Sequence, residues 1–155
     1  MDMPRPGAEH EKLKLFVGRW TGQETIHPSP MDPAGGAAKA RVDNRLALDG
    51  FAVVQDYEQE KNGKVTFRGH AVFSYDAARK QYVMDWWDSF GMARSEYRGV
   101  FQGEVISLLT DTPMGKARAT FDFPRGDRYT FRMEISMDGT LWVPFMEGQY
   151  TRASC

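Results

Sequence analysis

The feature that most constrains this chain is an alternation of apolar and polar residues that runs from Trp20 to Arg152. Side chains of a β-strand point alternately to its two faces, so this period of two predicts strands with one buried and one solvated face. Residues 65–75 and 128–136 show the alternation most clearly. Their apolar faces carry Val65, Phe67, Ala71, Phe73 and Tyr75 in the first segment and Tyr129, Phe131, Met133 and Ile135 in the second.

The turns between these segments predict how the strands are arranged. Asp49-Gly50, Asn62-Gly63 and Asp138-Gly139 are dipeptides typical of tight hairpins. Such short connections place each strand beside its predecessor, and pairing of the last strand with the first removes both exposed edges. We therefore predict an all-β fold, a closed antiparallel up-and-down barrel of about ten strands. The predicted strands cover residues 19–27, 38–48, 51–60, 65–75, 81–88, 93–101, 104–110, 116–123, 128–136 and 141–152.

A short helix is predicted ahead of the barrel. Residues 8–17 place Leu13, Phe16 and Val17 at helical spacing, and Gly18 is a natural helix stop. The chain has 155 residues, a usual length for one domain. We expect a single domain over residues 1–155, with the helix at 8–17 and the barrel at 19–152.

Charge and composition limit the partners and the location that we expect. Lys and Arg number 20 and Asp and Glu number 21, without a long run of either sign, so no nucleic-acid partner is expected. The sequence shows no apolar stretch like that of a secretion signal or a membrane span, so we expect no membrane partner and a cytoplasmic location. Cys155 is the only cysteine, which excludes an intrachain disulfide.

The two ends of the predicted barrel carry a recurring pattern. Gly18-Arg19-Trp20 begins the first strand and Tyr150-Thr151-Arg152 ends the last. In this the chain resembles the lipocalin and fatty-acid-binding barrels, the calycins, in which an arginine often stacks on that tryptophan. The resemblance implies that Trp20 and Arg152 close the barrel by joining its first and last strands.

A wider set of residues resembles a bacterial family of calycin-like proteins without an assigned function, which implies the barrel and no activity. More distantly, the chain is similar to nitrobindin-like barrels, in which a histidine from the C-terminal part holds haem. The histidines here are His10, His27 and His70, so we expect neither haem nor another cofactor. The stretches that carry the resemblance are Gly18-Arg19-Trp20, Pro28-Ser29-Pro30-Met31, Gly69-His70-Ala71, Tyr75-Asp76, Trp86-Trp87-Asp88-Ser89, Met146-Glu147, Tyr150 and Arg152.

The predicted interior favours a binding function. A barrel of about ten strands is wider than one of eight, so its interior has more room for a ligand. Aromatic residues make up 13% of the chain and are spread along it. We therefore expect a ligand-binding or carrier barrel for a small apolar or aromatic molecule. The predicted ligand-binding residues are Glu24, Met31, Asn44, Tyr57, Phe67, Phe73, Trp86, Asp88 and Tyr97.

The polar candidates among these residues have alternatives. Glu24 shares the face of Trp20 and is either solvated at the rim or buried, with a partner such as a tyrosine (Tyr57 or Tyr97) or a ligand. Asp88 ends a predicted strand, where it either caps the turn or anchors a polar ligand group.

Met31 lies in the longest unstructured connection of the predicted fold. Residues 28–37 contain three prolines, followed by two adjacent glycines. This make-up favours a lid over one end of the barrel, with Met31 as an apolar contact, over an inert surface loop.

A small enzyme is the first alternative function. Alternation points His70 outward, but a bulge at Gly69 would turn it inward, where His70 and Asp88 would form an acid and base pair. An interior carboxylate such as Glu24 is the other catalytic candidate. The sequence contains no metal-binding cluster and no standard catalytic motif.

A dimeric interaction module is the second alternative. Residues 81–88 are apolar on both faces, which places Val83 and Trp87 on the outside of the barrel. An outer helix, a homodimer partner or simple scattered exposure would each account for them.

Overall fold

A computed structural model describes residues 2–30 and 32–153 of the chain. These residues form one short helix, α1 (Ala8–Lys12), a 3-10 turn (Leu13–Leu15) and ten antiparallel strands that close into a barrel. The predicted fold class is therefore confirmed. The strands are β1 (Gly18–Ile26), β2 (Gly36–Ala47), β3 (Ala52–Lys61), β4 (Lys64–Asp76), β5 (Gln81–Asp88), β6 (Ser95–Gln102), β7 (Val105–Thr112), β8 (Gly115–Arg125), β9 (Arg128–Ser136) and β10 (Val143–Arg152).

The barrel closes where β1 pairs with β10. Trp20 lies opposite Arg152 in this register. The guanidinium carbon of Arg152 is 4.4 Å from the centroid of the Trp20 ring, and its Nη1 donates to the carbonyl of Val17 at 3.0 Å. A cation over an indole contributes about 0.5–2 kcal/mol, depending on how far it is desolvated. The first and last strands are thus joined by side chains as well as by their backbones.

The N-terminal segment closes one end of the barrel. Phe16 is buried and stacks on Phe73 with ring centroids 4.2 Å apart. Its carbonyl accepts hydrogen bonds from Trp20 Nε1 at 3.0 Å and from Asn44 Nδ2 at 2.7 Å. Both the side chain and the backbone carbonyl of Phe16 therefore hold the segment against the barrel. We call this end of the barrel the closed end.

The helix is shorter than predicted. The α-helix stops at Lys12, and the 3-10 turn that follows carries the chain to Phe16. Residues three apart lie on the same side of a 3-10 turn, so Leu13 and Phe16 both point into the barrel. No helix in the described part of the chain is long and apolar enough to cross a membrane.

Two of the three predicted hairpin dipeptides form other turns. Asn62-Gly63 is a two-residue hairpin with positive φ at both residues, 53° and 78°. Asp49-Gly50 instead belongs to a 3-10 turn (Leu48–Gly50). Asp138-Gly139 lies in the longer loop 137–142, because a carboxylate oxygen of Asp138 accepts the amide hydrogens of residues 140 and 141 at 2.8 and 2.9 Å.

The outer face of β5 is partly covered within the chain. Val83 is 7% exposed, and its cross-strand partner is Arg98, which forms an ion pair with Asp76 at 2.9 Å. Trp87, by contrast, remains 40% exposed. Burial of Val83 therefore needs no second chain.

We expect substitution R152A to lower the free energy of unfolding by about 1–2 kcal/mol, because it removes the contact with the Trp20 ring and the hydrogen bond to the Val17 carbonyl. Urea denaturation measures this loss. The matched control is R41A at an exposed position of β2, which should change stability by less than about 0.5 kcal/mol. Equal effects of the two substitutions would show that the Arg152 contact does not stabilise the closed barrel.

Candidate functional site

The half of the barrel opposite α1 contains a cavity of about 500 Å³. Its walls are mostly aromatic and methionine side chains from alternating positions of the strands. The connections that surround its mouth are those after β1 (described at 27–30 and 32–35), β3 (62–63), β5 (89–94), β7 (113–114) and β9 (137–142). Prominent apolar lining residues are Phe67, Met84, Trp86, Phe121, Phe131 and Met133. The cavity is therefore a mainly apolar space with one open end.

Trp86 forms one wall because Gly69 leaves room for it. A Cβ atom at Gly69 would lie 2.1 Å from the Trp86 ring, so the indole rests directly on the backbone of β4. The indole Nε1 donates to Asp88 Oδ2 at 2.8 Å, and Asp88 Oδ1 accepts the amide hydrogen of Phe90 at 3.0 Å. Asp88 thus caps the turn after β5 and fixes the tryptophan at the same time.

A buried carboxylate lies behind another wall. Glu24 is 3% exposed. Its Oε1 accepts hydrogen bonds from Tyr57 Oη at 2.8 Å and from Gln59 Nε2 at 2.9 Å. Its Oε2 accepts hydrogen bonds from Tyr57 at 2.7 Å and from Tyr150. Since all these partners are donors, they offset the cost of removing a carboxylate from water. We call Glu24, Tyr57, Gln59 and Tyr150 the carboxylate cluster.

Two glycines allow Tyr150 to reach this cluster. A Cβ atom at Gly22 or at Gly148 would lie 2.4 Å from atoms of Tyr150. The other side of the ring stacks on Tyr129, with centroids 4.6 Å apart and planes 9° from parallel. Burial, together with the nearby Glu24 charge, raises the pKa of Tyr57, Tyr129 and Tyr150 well above the usual value. These tyrosines therefore remain protonated.

Other polar groups at the cavity are not engaged. The carboxamide of Gln55 borders the cavity and is 5% exposed. It has no hydrogen-bond partner among residues 2–30 and 32–153, and the same holds for the hydroxyls of Tyr97 and Tyr129. Burial, with a smaller effect of Asp88, raises the pKa of Tyr97 to about 12. The cavity thus presents neutral hydrogen-bonding groups to whatever enters it.

An ion pair ties the connection between β1 and β2 to the mouth. Lys61, at the end of β3, contacts Asp32 of this connection, and both residues border the cavity. The hydrogen bond from Lys61 lowers the pKa of Asp32. Asp32 also accepts the amide hydrogen of Gly35 at 3.1 Å. Met31, predicted as a lid contact, lies outside the described residues.

The predicted ligand-binding residues that the structure describes lie in three places: at the cavity, behind its wall and at the closed end. Tyr57, Phe67, Trp86, Asp88 and Tyr97 border the cavity, whereas Glu24 lies behind it.

Asn44 and Phe73, also predicted to bind the ligand, lie away from the cavity at the closed end. Asn44 donates to Phe16, and the Phe73 ring stacks against the Phe16 ring. Alternation correctly places both side chains inside, but the N-terminal segment fills that half of the interior.

His70 points outward, as the alternation predicts, and the alternative pair of His70 with Asp88 does not form. His70 lies on the outer face of β4, with Nδ1 at 2.8 Å from Asp56 Oδ1. The cross-strand partner of Asp88 is Gly69 instead. The backbone at Gly69 therefore follows the regular alternation, and the glycine serves the packing of Trp86.

Several residues of this site are not among the predicted ligand-binding residues, among them Gln55, Gln59 and Tyr150. A signal for the first two was present, since Gln55, Tyr57 and Gln59 occupy alternate positions of one strand. A polar residue at successive inward positions indicates an interior that is not purely apolar. Within the described residues, no group of three or more His, Cys, Asp or Glu side chains is arranged to hold a metal ion.

Comparisons with known proteins agree with the observed fold. The chain matches a family described as protein of unknown function (DUF1579) over residues 5–152. The crystal structure of Rv2717c from M. tuberculosis aligns with a TM-score of 0.73 at 12% identity, covering 96% of this chain and 99% of that one. The S-type phycobiliprotein lyase CPES from Guillardia theta aligns with a TM-score of 0.60 at 13% identity, covering 97% and 99%. No curated protein matches the chain. At such identities these likenesses concern the fold.

We expect the free energy of unfolding to fall steeply at alkaline pH. Above the pKa of an unfolded tyrosine, Tyr57, Tyr129 and Tyr150 stay protonated in the folded chain, where their pKa is raised, but lose their protons on unfolding. Their contribution to stability is complete below the pKa of an unfolded tyrosine, about 10, and is lost as the pH rises above it. Each should remove about 1.4 kcal/mol of unfolding free energy per pH unit. Denaturation across this range measures the slope.

Substitution Y129F isolates one of these contributions, because the Tyr129 hydroxyl has no hydrogen-bond partner among the described residues. The slope should fall by about 1.4 kcal/mol per pH unit relative to the unsubstituted chain. Tyrosinate absorbance that developed completely before unfolding would contradict the burial of these hydroxyls.

Substitution E24Q tests the carboxylate cluster. The new amide group would donate where the Glu24 carboxylate accepts, and it would face the donors of Tyr57, Gln59 and Tyr150. We therefore expect a loss of about 1–3 kcal/mol in the free energy of unfolding. The control E147Q changes a half-exposed carboxylate on the adjacent strand and should have little effect. Unchanged stability of E24Q would contradict the hydrogen bonding described for Glu24.

Proposed function

The chain belongs to the DUF1579 family, whose description assigns no activity, and we propose that it is a binding or carrier protein for one small, largely apolar or aromatic molecule. The observation that carries this proposal is the cavity of about 500 Å³ in the open half of the barrel. Sites for small molecules are concave, mostly apolar spaces of about 300–1,000 Å³ with a few polar groups that orient the ligand. The cavity matches this description in size and in wall chemistry.

The energetics of packing support the same function. Protein interiors are usually packed as densely as organic crystals, and a cavity costs stability because its walls lose contacts. An apolar ligand restores those contacts and removes its own apolar surface from water. A space as large as this one, kept open inside a small barrel, is therefore explained by an occupant.

The fold is consistent with this proposal. The arginine on the tryptophan at the barrel seam is the feature that the calycin resemblance implies, and we propose that the chain is a calycin-like carrier. One structural neighbour with this fold is a phycobiliprotein lyase. The proposal for this chain rests on its own cavity.

The two alternative functions have less support. His70 is paired with Asp56 on the outside, Asp88 caps a turn, and Glu24 is fully engaged behind the cavity wall. No acid and base pair from these candidates faces the cavity. For a dimeric module, the exposed Trp87 is the remaining argument.

We expect the neutral dye Nile red to bind with enhanced fluorescence, and substitution A117F to weaken this binding at least about tenfold, because Ala117 borders the cavity and a phenyl ring there fills part of it. Fluorescence titration gives both dissociation constants. The matched control is A37F at an exposed position of β2, which should bind as the unsubstituted chain does. Absence of dye binding, or equal loss in both variants, would contradict an interior site.

A further inference from the structure

The charged groups around the cavity are all engaged by ion pairs or hydrogen bonds within the protein. The charged residues that border it are Asp32, Lys61 and Asp88. Asp32 and Lys61 form an ion pair with each other, and the oxygens of Asp88 accept hydrogen bonds from the Trp86 indole and the Phe90 amide. Among the lining residues that the structure describes, no charge of either sign is left without a partner.

The carboxylate behind the wall is equally unavailable. Glu24 receives hydrogen bonds from Tyr57, Gln59 and Tyr150, which separate it from the cavity that they line. A cationic ligand group would have to displace one of these donors to reach it. The cluster is therefore a closed unit.

The groups that do remain available are neutral. Gln55 offers an amide donor and a carbonyl acceptor, and it is nine-tenths buried in the wall without a partner in the described parts of the chain. Tyr97 offers a hydroxyl that both donates and accepts. Because β3 runs from the closed end toward the mouth, Gln55 lies deeper in the barrel than Lys61. A polar ligand group would thus meet neutral partners at the deep end of an apolar space.

Resting on the proposed function, we propose that the ligand is an uncharged molecule with an apolar or aromatic body and a neutral polar group, such as a hydroxyl, a carbonyl or an amide, that hydrogen-bonds Gln55. A carboxylate or phosphate group entering this cavity would meet no cation except Lys61, which is already paired with Asp32. An ammonium group would compete for Asp88 with the Trp86 indole and the Phe90 amide, whose hydrogen bonds it would have to displace. Burial of a charge that finds no partner carries a large cost. A neutral group loses less free energy of hydration, and a hydrogen bond to the Gln55 carboxamide replaces the hydrogen bonds that it made to water.

The test uses one aromatic scaffold with four head groups in competition with Nile red near neutral pH. The competitors are methylnaphthalene, naphthylmethanol, naphthoate and naphthylmethylamine. We expect naphthylmethanol to displace the dye at least about tenfold more effectively than naphthoate or naphthylmethylamine. The assignment of an uncharged ligand is overturned if naphthoate or naphthylmethylamine displaces the dye as effectively as naphthylmethanol does. It is also overturned if none of the four compounds displaces the dye. In both cases the binding of Nile red itself still supports the carrier function. Failure of Nile red itself to bind contradicts that function.

Substitution Q55M tests the residue that we assign as the neutral partner. It keeps the shape of the side chain and removes its hydrogen-bonding groups, so binding of naphthylmethanol should weaken about fivefold and binding of methylnaphthalene less than about twofold. The control Q149M lies on the outer side of β10 and should change neither. An equal effect of Q55M on both compounds would mean that Gln55 only shapes the wall, which overturns its role.

Discussion

The seam between the first and last strands is the contact on which the rest of the barrel depends, because an open sheet of ten strands would expose two unpaired edges. The same few groups that form this seam also hold the N-terminal segment. The carbonyl of Phe16 binds the indole of Trp20, and Arg152 covers that indole while donating to Val17. The same contacts therefore close the barrel at its seam and hold the N-terminal segment across one end.

The position of the N-terminal segment determines where the cavity lies. Phe16 fills the closed half with an aromatic cluster that includes Phe73 and Phe123, so interior residues there pack against protein. The other half has no such segment, and its mouth is bordered by loops. The barrel is closed at one end because the segment ahead of β1 lies across that end and inserts Leu13 and Phe16 into the interior.

Local pattern predicts this fold well and the site only in part. The period of two identifies the strands and the inward faces of β4 and β9, since strand geometry is a local property. It does not reveal that Asn44 and Phe73 face the N-terminal segment, because that depends on where a distant element docks. Nor does it reveal that Gly69 accommodates the Trp86 ring, which requires the register between β4 and β5.

The carboxylate cluster explains how a small barrel keeps a large cavity open. Collapse would require a wall side chain such as Tyr57 or Tyr150 to rotate into the space. Each hydroxyl would then leave Glu24, and a buried carboxylate deprived of a donor costs more than the apolar contacts of one ring regain. A buried charge is in itself a poor source of stability. Here its value is that it fixes three wall residues in one arrangement, so the cavity remains open and is not filled by the protein's own side chains.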